Sequence, residues 1–125
     1  MMEESVALRF FKVEMLANEV LDRFYEEIDK LGFCANEVDL KRPAEAEYRL
    51  ERDPSNSEYS LVGDWLNEQG KKLGTLLFHA DGSFFVEHIV VMPHPTKPGW
   101  FVDALKAWGK NDEIRTGARL LPNPH

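Results

Sequence analysis

The chain has 125 residues, 43% of them hydrophobic and 30% charged, which is typical of a folded protein and excludes a disordered one. A chain of this length predicts a single domain over residues 1–125. The net charge of −7 disfavours a nucleic-acid partner, because a phosphate backbone repels an acidic surface.

Two further features bear on the compartment. The single cysteine, Cys34, precludes an intramolecular disulfide. The first residues, Met1 to Ser5, are acidic and lack the basic and then apolar pattern of a signal peptide. No apolar run approaches the roughly 18 residues that a membrane helix needs. We therefore expect a cytoplasmic protein that does not bind membranes.

The N-terminal third predicts a strand followed by a helix. Residues 6–13 are rich in β-branched and aromatic types and suggest a first strand. Residues 15–31 carry apolar side chains at helical spacing, with Gly32 placed to end the helix. The stripe comprises Leu16, Val20, Leu21, Phe24, Ile28 and Leu31. We expect residues 34–46 to form a connection.

The middle of the chain predicts short strands. Residues 48–51 suggest one, and a turn-rich cluster follows at residues 53–57. Residues 58–66 alternate as a strand does, although 58–69 also fit a helical face that would end at Gly70. The strand is favoured because Gly63 weakens a helix.

The strongest local signal is a hairpin over residues 73–92, centred on Asp81-Gly82. A two-residue type I′ turn there would pair His79 with Phe84 and Thr75 with His88. The two histidines would then share a face but lie about 13 Å apart along the strands. That distance is too long for two ligands of one ion, so we predict no metal site.

The C-terminal part predicts a second helix and a last strand. Thr96 and Pro98 suit a helix start, and Gly109 suits its end. Between them, Phe101, Ala104, Leu105 and Trp108 mark a buried stripe. Residues 113–120 suggest a strand. The expected order is β-α-β-β-β-β-α-β, an α+β fold in which an antiparallel meander of four to six strands packs against two helices.

The candidate catalytic residues are Glu87, His88 and Asp64. Glu87 and His88 interrupt an apolar strand, where desolvation would raise the pKa of a carboxyl group toward that of a general acid or base. Asp64 lies on a neighbouring predicted strand and would converge on Glu87. The more common arrangement is a solvent-facing Glu87 paired with a basic residue, for which Lys72 and Arg115 are available.

The candidate binding residues fall in two places. Trp65 and Phe85 would line a pocket beside Glu87 on the sheet. His94 and Trp100 flank a loop stiffened by three prolines, and a rigid loop that displays an aromatic side chain loses little entropy on docking. A structural role for Trp100, as a cap on the core, is the simpler interpretation. No glycine-rich phosphate loop, nucleophile elbow or cofactor motif is present, so no cofactor is expected.

Residues 63–109 resemble small uncharacterised bacterial proteins. The resemblance is carried by Phe78-His79-Ala80-Asp81-Gly82-Ser83-Phe84-Phe85 and by Met92-Pro93-His94-Pro95. It implies no activity, ligand or functional residue.

These observations predict a small acidic protein that acts as a non-catalytic protein-interaction or homodimeric module. One alternative is a ligand-binding protein or acid–base enzyme with a pocket around Glu87. Another is a secretion-chaperone-like protein, a class of small, acidic, dimeric α+β proteins, although the predicted C-terminal strand argues against it.

Overall fold

A computed structural model describes residues 5–34, 36–111 and 113–122. It contains one long helix followed by six strands, each paired antiparallel with its neighbour in the chain, so that the sheet order is β1-β2-β3-β4-β5-β6. A short 3-10 turn, Pro43–Glu45, precedes the sheet. The elements are α1 Val6–Leu31, β1 Glu47–Arg52, β2 Tyr59–Leu66, β3 Lys72–Phe78, β4 Ser83–Pro93, β5 Trp100–Lys110 and β6 Glu113–Pro122.

The protein is α+β, but the predicted order with two helices is wrong. The expected first strand at residues 6–13 is the first part of α1. Ser5 begins this helix, because its hydroxyl accepts a hydrogen bond from the Leu8 amide at 3.1 Å. Val6, Phe10 and Val13 continue the apolar stripe and pack against the core, and tertiary packing of this kind overrides β propensity. The predicted end at Gly32 is confirmed, with φ at 103°.

The predicted second helix is also wrong, because residues 100–110 form strand β5. A bulge between Val102 and Ala104 shifts the alternation of the strand, so that Val102 and Leu105 both face α1. This spacing of three residues imitates a helical repeat. For residues 58–69 the strand interpretation is confirmed by β2, which ends at Leu66.

The helix covers one face of the sheet and forms the core there. Phe24 and Ile28 of α1 are each 1% exposed and pack with apolar side chains from the strands. Those strand residues include Leu61, Trp65, Leu76, Phe78, Phe84, Val86, Val102, Leu105 and Ala107. No described element covers the opposite side of the sheet, which we call the open face.

The β3–β4 hairpin forms at the predicted place in a different register. Phe78 pairs with Phe84, and Thr75 pairs with Glu87. Of the two turn residues, only Gly82 has a positive φ, 93°, whereas a type I′ turn needs two. The loop is therefore one residue longer than predicted. A shift of one residue in the pairing exchanges the side chains that β4 places on the two faces of the sheet. As a result His88 faces α1, and Glu87 faces the open side.

Candidate functional site

A row of four apolar side chains crosses the open face perpendicular to the strands. They lie at one level, by which we mean the same position along the strands. It comprises Val62, Leu77, Phe85 and Trp108, contributed by β2, β3, β4 and β5, each paired with the next across the strands. We call these four residues the apolar row. Arg49 on β1 and Arg115 on β6 continue the same level at its two ends.

The side chains of the apolar row range from buried to exposed and do not belong to the core beneath α1. Val62 is 7% exposed and Trp108 is 40% exposed, while Leu77 and Phe85 are intermediate. The indole of Trp108 leans toward Gly117 on β6, where an added Cβ would lie 3.6 Å from the ring. Apolar side chains collected at the centre of an uncovered sheet are typical of a contact surface.

Asp64 lies on the open face, one level away from the apolar row. Its carboxylate accepts a hydrogen bond from Arg49 at 2.6 Å and lies 3.2 Å from the Lys72 ammonium. Burial raises the pKa of Asp64, but these two cations outweigh it and hold the pKa below its usual value. This direction is opposite to the one that a general acid needs at neutral pH.

Glu87 lies at the same level as Asp64, with Thr75 between them. Its carboxylate is 3.4 Å from Arg119 and 3.9 Å from Lys106. Glu87 therefore pairs with basic residues other than those that the sequence suggested, because Lys106 and Arg119 lie on β5 and β6 and β5 was not predicted as a strand. Asp64 and Glu87 share a face, but Thr75 lies between them and each is matched to its own cations.

His88 and Trp65 lie on the other side of the sheet, so neither lines the open face. The His88 ring accepts a hydrogen bond from the Lys41 amide at 3.0 Å and donates one to the Ile89 carbonyl at 2.9 Å. Burial lowers the pKa of His88, which favours this neutral form. Trp65 donates to the Arg42 carbonyl at 2.8 Å. Together the two rings fix the connection between α1 and β1 against the sheet.

His94 and Trp100 lie near the loop that joins β4 to β5. The Nδ1 atom of His94 accepts hydrogen bonds from the amides of Thr96 and Lys97, at 3.2 and 3.0 Å. The Lys97 ammonium lies 4.7 Å from the centre of the Trp100 ring. Both side chains thus make their contacts with residues of the same loop, and neither adjoins the apolar row.

The sequence analysis missed a polar cleft of about 210 Å³ at the turn-rich end of the sheet. At its base the Ser60 hydroxyl lies 2.9 Å from His79 Nδ1. Carboxylates of Asp53, Glu58 and Asp81 surround this pair. Negative charge here would oppose the oxyanion formed in acyl transfer, so the pair is poorly placed for nucleophilic catalysis. The cleft could be recognised only from the pairing of β2 with β3, because that pairing brings Ser60 and His79 together.

Two of the carboxylates in the cleft have structural roles in turns. Asp53 accepts hydrogen bonds from Ser55, and Asp81 accepts them from Ser83. These bonds hold the pKa of both aspartates below the ordinary value. Within residues 5–34, 36–111 and 113–122, no group of three or more acidic, histidine or cysteine side chains could hold a metal ion.

Cys34 is exposed, but its environment does not activate it. A hydrogen bond with Glu37 raises the pKa of the thiol and so disfavours the reactive thiolate. Neither this residue nor the cleft forms a recognisable catalytic arrangement.

Comparisons with known proteins assign no family. No family model, curated protein or solved structure matches this chain. In the part of the chain that the structure describes, no helix is both long enough and apolar enough to cross a membrane.

Proposed function

We propose that this protein is a cytoplasmic, non-catalytic protein-interaction module that docks another folded protein on the open face of its sheet. The observation that carries the proposal is the apolar row of Val62, Leu77, Phe85 and Trp108, which lies across four adjacent strands with no described element over it. Aromatic residues at the centre of a patch are the usual anchors of protein interfaces.

The charged groups around the apolar row support a protein partner. Asp64 and Glu87 are already matched to basic side chains of the same chain. Burying these pairs in an interface leaves no carboxylate without a partner, which would otherwise cost several kcal/mol. The open face is also broad, whereas small ligands are usually bound in concave pockets.

Site-specific photo-crosslinking in living cells tests this proposal. The photoreactive residue p-benzoylphenylalanine would replace Trp108 on the open face, and Glu26, exposed on α1, would be the matched control position. We expect a discrete protein adduct from position 108 that is absent from position 26 and is lost when Phe85→Glu is added. The absence of any adduct at position 108, or equal adducts at both positions, would contradict the proposal.

A further inference from the structure

We infer that the protein bound on the open face is a second copy of this chain, packed sheet against sheet. The inference rests on the proposed function and specifies the partner. Three features support it: the balance of charge on the strands of the open face, the area of the sheet, and the positions of Asp64 and Lys106 on β2 and β5.

Over its six strands the open face is electrically balanced, although the whole chain has a net charge of −7 and the carboxylates of Asp53, Glu58 and Asp81 line the cleft at the turn-rich end. Six acidic and six basic side chains lie on it among the described residues. They are Glu47, Glu51, Asp64, Glu87, Asp103 and Glu113, and Arg49, Lys72, Lys106, Lys110, Arg115 and Arg119. Two copies can therefore approach through this face without the repulsion that acts elsewhere between acidic molecules.

Another exposed apolar surface is a ridge on α1 formed by Leu8, Phe11 and Met15, which are 47%, 74% and 87% exposed. This helix carries six acidic and four basic residues, and one of the basic residues, Arg9, is buried. Five of the six acidic residues lie C-terminal to the ridge, so two copies that met along the whole length of α1 would bring like charges together. The charge distribution thus favours the open face over the ridge for self-association.

The area of the open face suits a stable dimer. Six strands about 4.8 Å apart, each with about eight residues at 3.3 Å per residue, cover about 750 Å². A specific interface of standard size buries about 800 Å² on each partner. Sheets that pack face to face lie about 10 Å apart, a gap that the side chains of the apolar row can fill.

The charges also select the orientation of the two copies. A two-fold axis parallel to the strands, between β3 and β4, places β2 of one copy over β5 of the other. Asp64 then faces Lys106 of the other copy, and Leu77 faces Phe85. The same axis also sets two like-charged pairs opposite each other at the edges, Arg49 with Arg115 and Glu51 with Glu113. An axis perpendicular to the strands, through the apolar row, would place each strand over itself, so that Glu47 meets Glu51, Lys106 meets Lys110 and no pair of opposite charge forms. The first arrangement is the one we propose.

Sedimentation equilibrium of the full chain tests the surface. We expect the wild-type protein to form dimers, and Phe85→Glu to raise the dissociation constant roughly thirtyfold or more, as expected for a central anchor residue. The matched control is Phe11→Glu, which places the same charge on the α1 ridge and should leave the constant unchanged. Loss of the dimer with Phe11→Glu but not Phe85→Glu would overturn the inference.

Complementary charge reversal tests the orientation. Asp64→Lys alone and Lys106→Asp alone should each be monomeric, because each places like charges opposite one another. An equimolar mixture should form a heterodimer in which both contacts are again between opposite charges. Circular dichroism would show that each variant is folded, and failure of the mixed, folded variants to associate would refute the orientation.

A wild-type chain that remains monomeric at high concentration would overturn the inference of a second copy. The proposed function would still stand if position 108 forms an adduct in cells with a mass other than that of two chains. An absence of both the dimer and any adduct would refute the two proposals together.

Discussion

At the scale of single residues, His88 shows how a histidine in an apolar strand can serve structure rather than catalysis. The side chain is 3% exposed, and both ring nitrogens are used in hydrogen bonds to the backbone. Its acceptor nitrogen must remain unprotonated to receive the Lys41 amide. Residue type alone could not distinguish this role from a catalytic one, because the distinction depends on which face of β4 is covered.

His88 should make stability depend on pH. Burial holds the pKa of His88 below its ordinary value of 6.5 in the folded chain, so the unfolded chain binds a proton first as the pH falls. The stability due to the neutral ring is therefore complete above pH 6.5 and decreases as the pH falls toward the folded pKa. We expect this residue to contribute a slope of at most about 1.4 kcal/mol per pH unit.

Urea denaturation of His88→Gln between pH 7.5 and 5.5 measures this contribution. The free energy of unfolding at pH 7.5 should fall by about 1–3 kcal/mol, since a buried hydrogen bond is lost, and the pH slope should become flatter. An unchanged slope in His88→Gln would show that His88 does not cause the pH dependence.

At the scale of elements, the strands depend on glycines that make room for large rings. Gly74 lies between Trp65 and His88 on the face beneath α1. A Cβ added to Gly74 would lie 2.8 Å from the Trp65 ring and still closer to the Glu87 carbonyl oxygen. The glycine allows the indole to lie flat across β3 and approach His88, with 5.0 Å between the ring centres.

Replacing Gly74 by alanine should therefore destabilise the sheet. We expect the free energy of unfolding to fall by about 1–3 kcal/mol, the usual cost of overpacking a core. Gly117→Ala is the matched control, because its new Cβ would meet the Trp108 ring at an ordinary 3.6 Å and should change the stability by less than about 1 kcal/mol. Equal urea midpoints for the two variants would contradict this account.

The sequence predicted five of the six strands, but not the features that override local patterns. Gly32 and the region of the β3–β4 turn were recognisable because their conformations depend on a few neighbouring residues. The start of α1 was missed because its β-branched residues are held in a helix by the sheet. Strand β5 was missed because its bulge alters the alternation.

The candidate site was less accessible to sequence analysis for a similar reason. The turn was predicted at the right place in the chain. One extra residue in its loop, however, exchanges the side chains that β4 places on the two faces of the sheet. Phe85 and Glu87 could be paired with Trp108 and Lys106 only after residues 100–110 were known to form strand β5. Asp64 was expected on a strand next to that of Glu87, whereas Thr75 of β3 lies between them.

At the scale of the whole molecule, helix and sheet share one core and should unfold together. Phe24 and Ile28 of α1 pack against the same cluster that contains Trp65. Far-ultraviolet circular dichroism, which reports the helix, and the fluorescence of buried Trp65, measured with Trp100 and Trp108 replaced by phenylalanine, should give the same urea midpoint. Ile28→Val should lower both midpoints together, by about 1 kcal/mol in free energy. Separate midpoints would show that α1 is an independent unit.

The order of the elements sets a constraint on synthesis of the protein. The ribosome makes α1 first, yet the surface that covers Val20, Phe24 and Ile28 consists of strands made later. Each strand can pair with the one just before it as the nascent chain lengthens, since every pairing is between consecutive strands. The apolar side of α1 therefore has no covering strands until the later part of the chain has emerged, and over that interval it is open to contacts with other proteins.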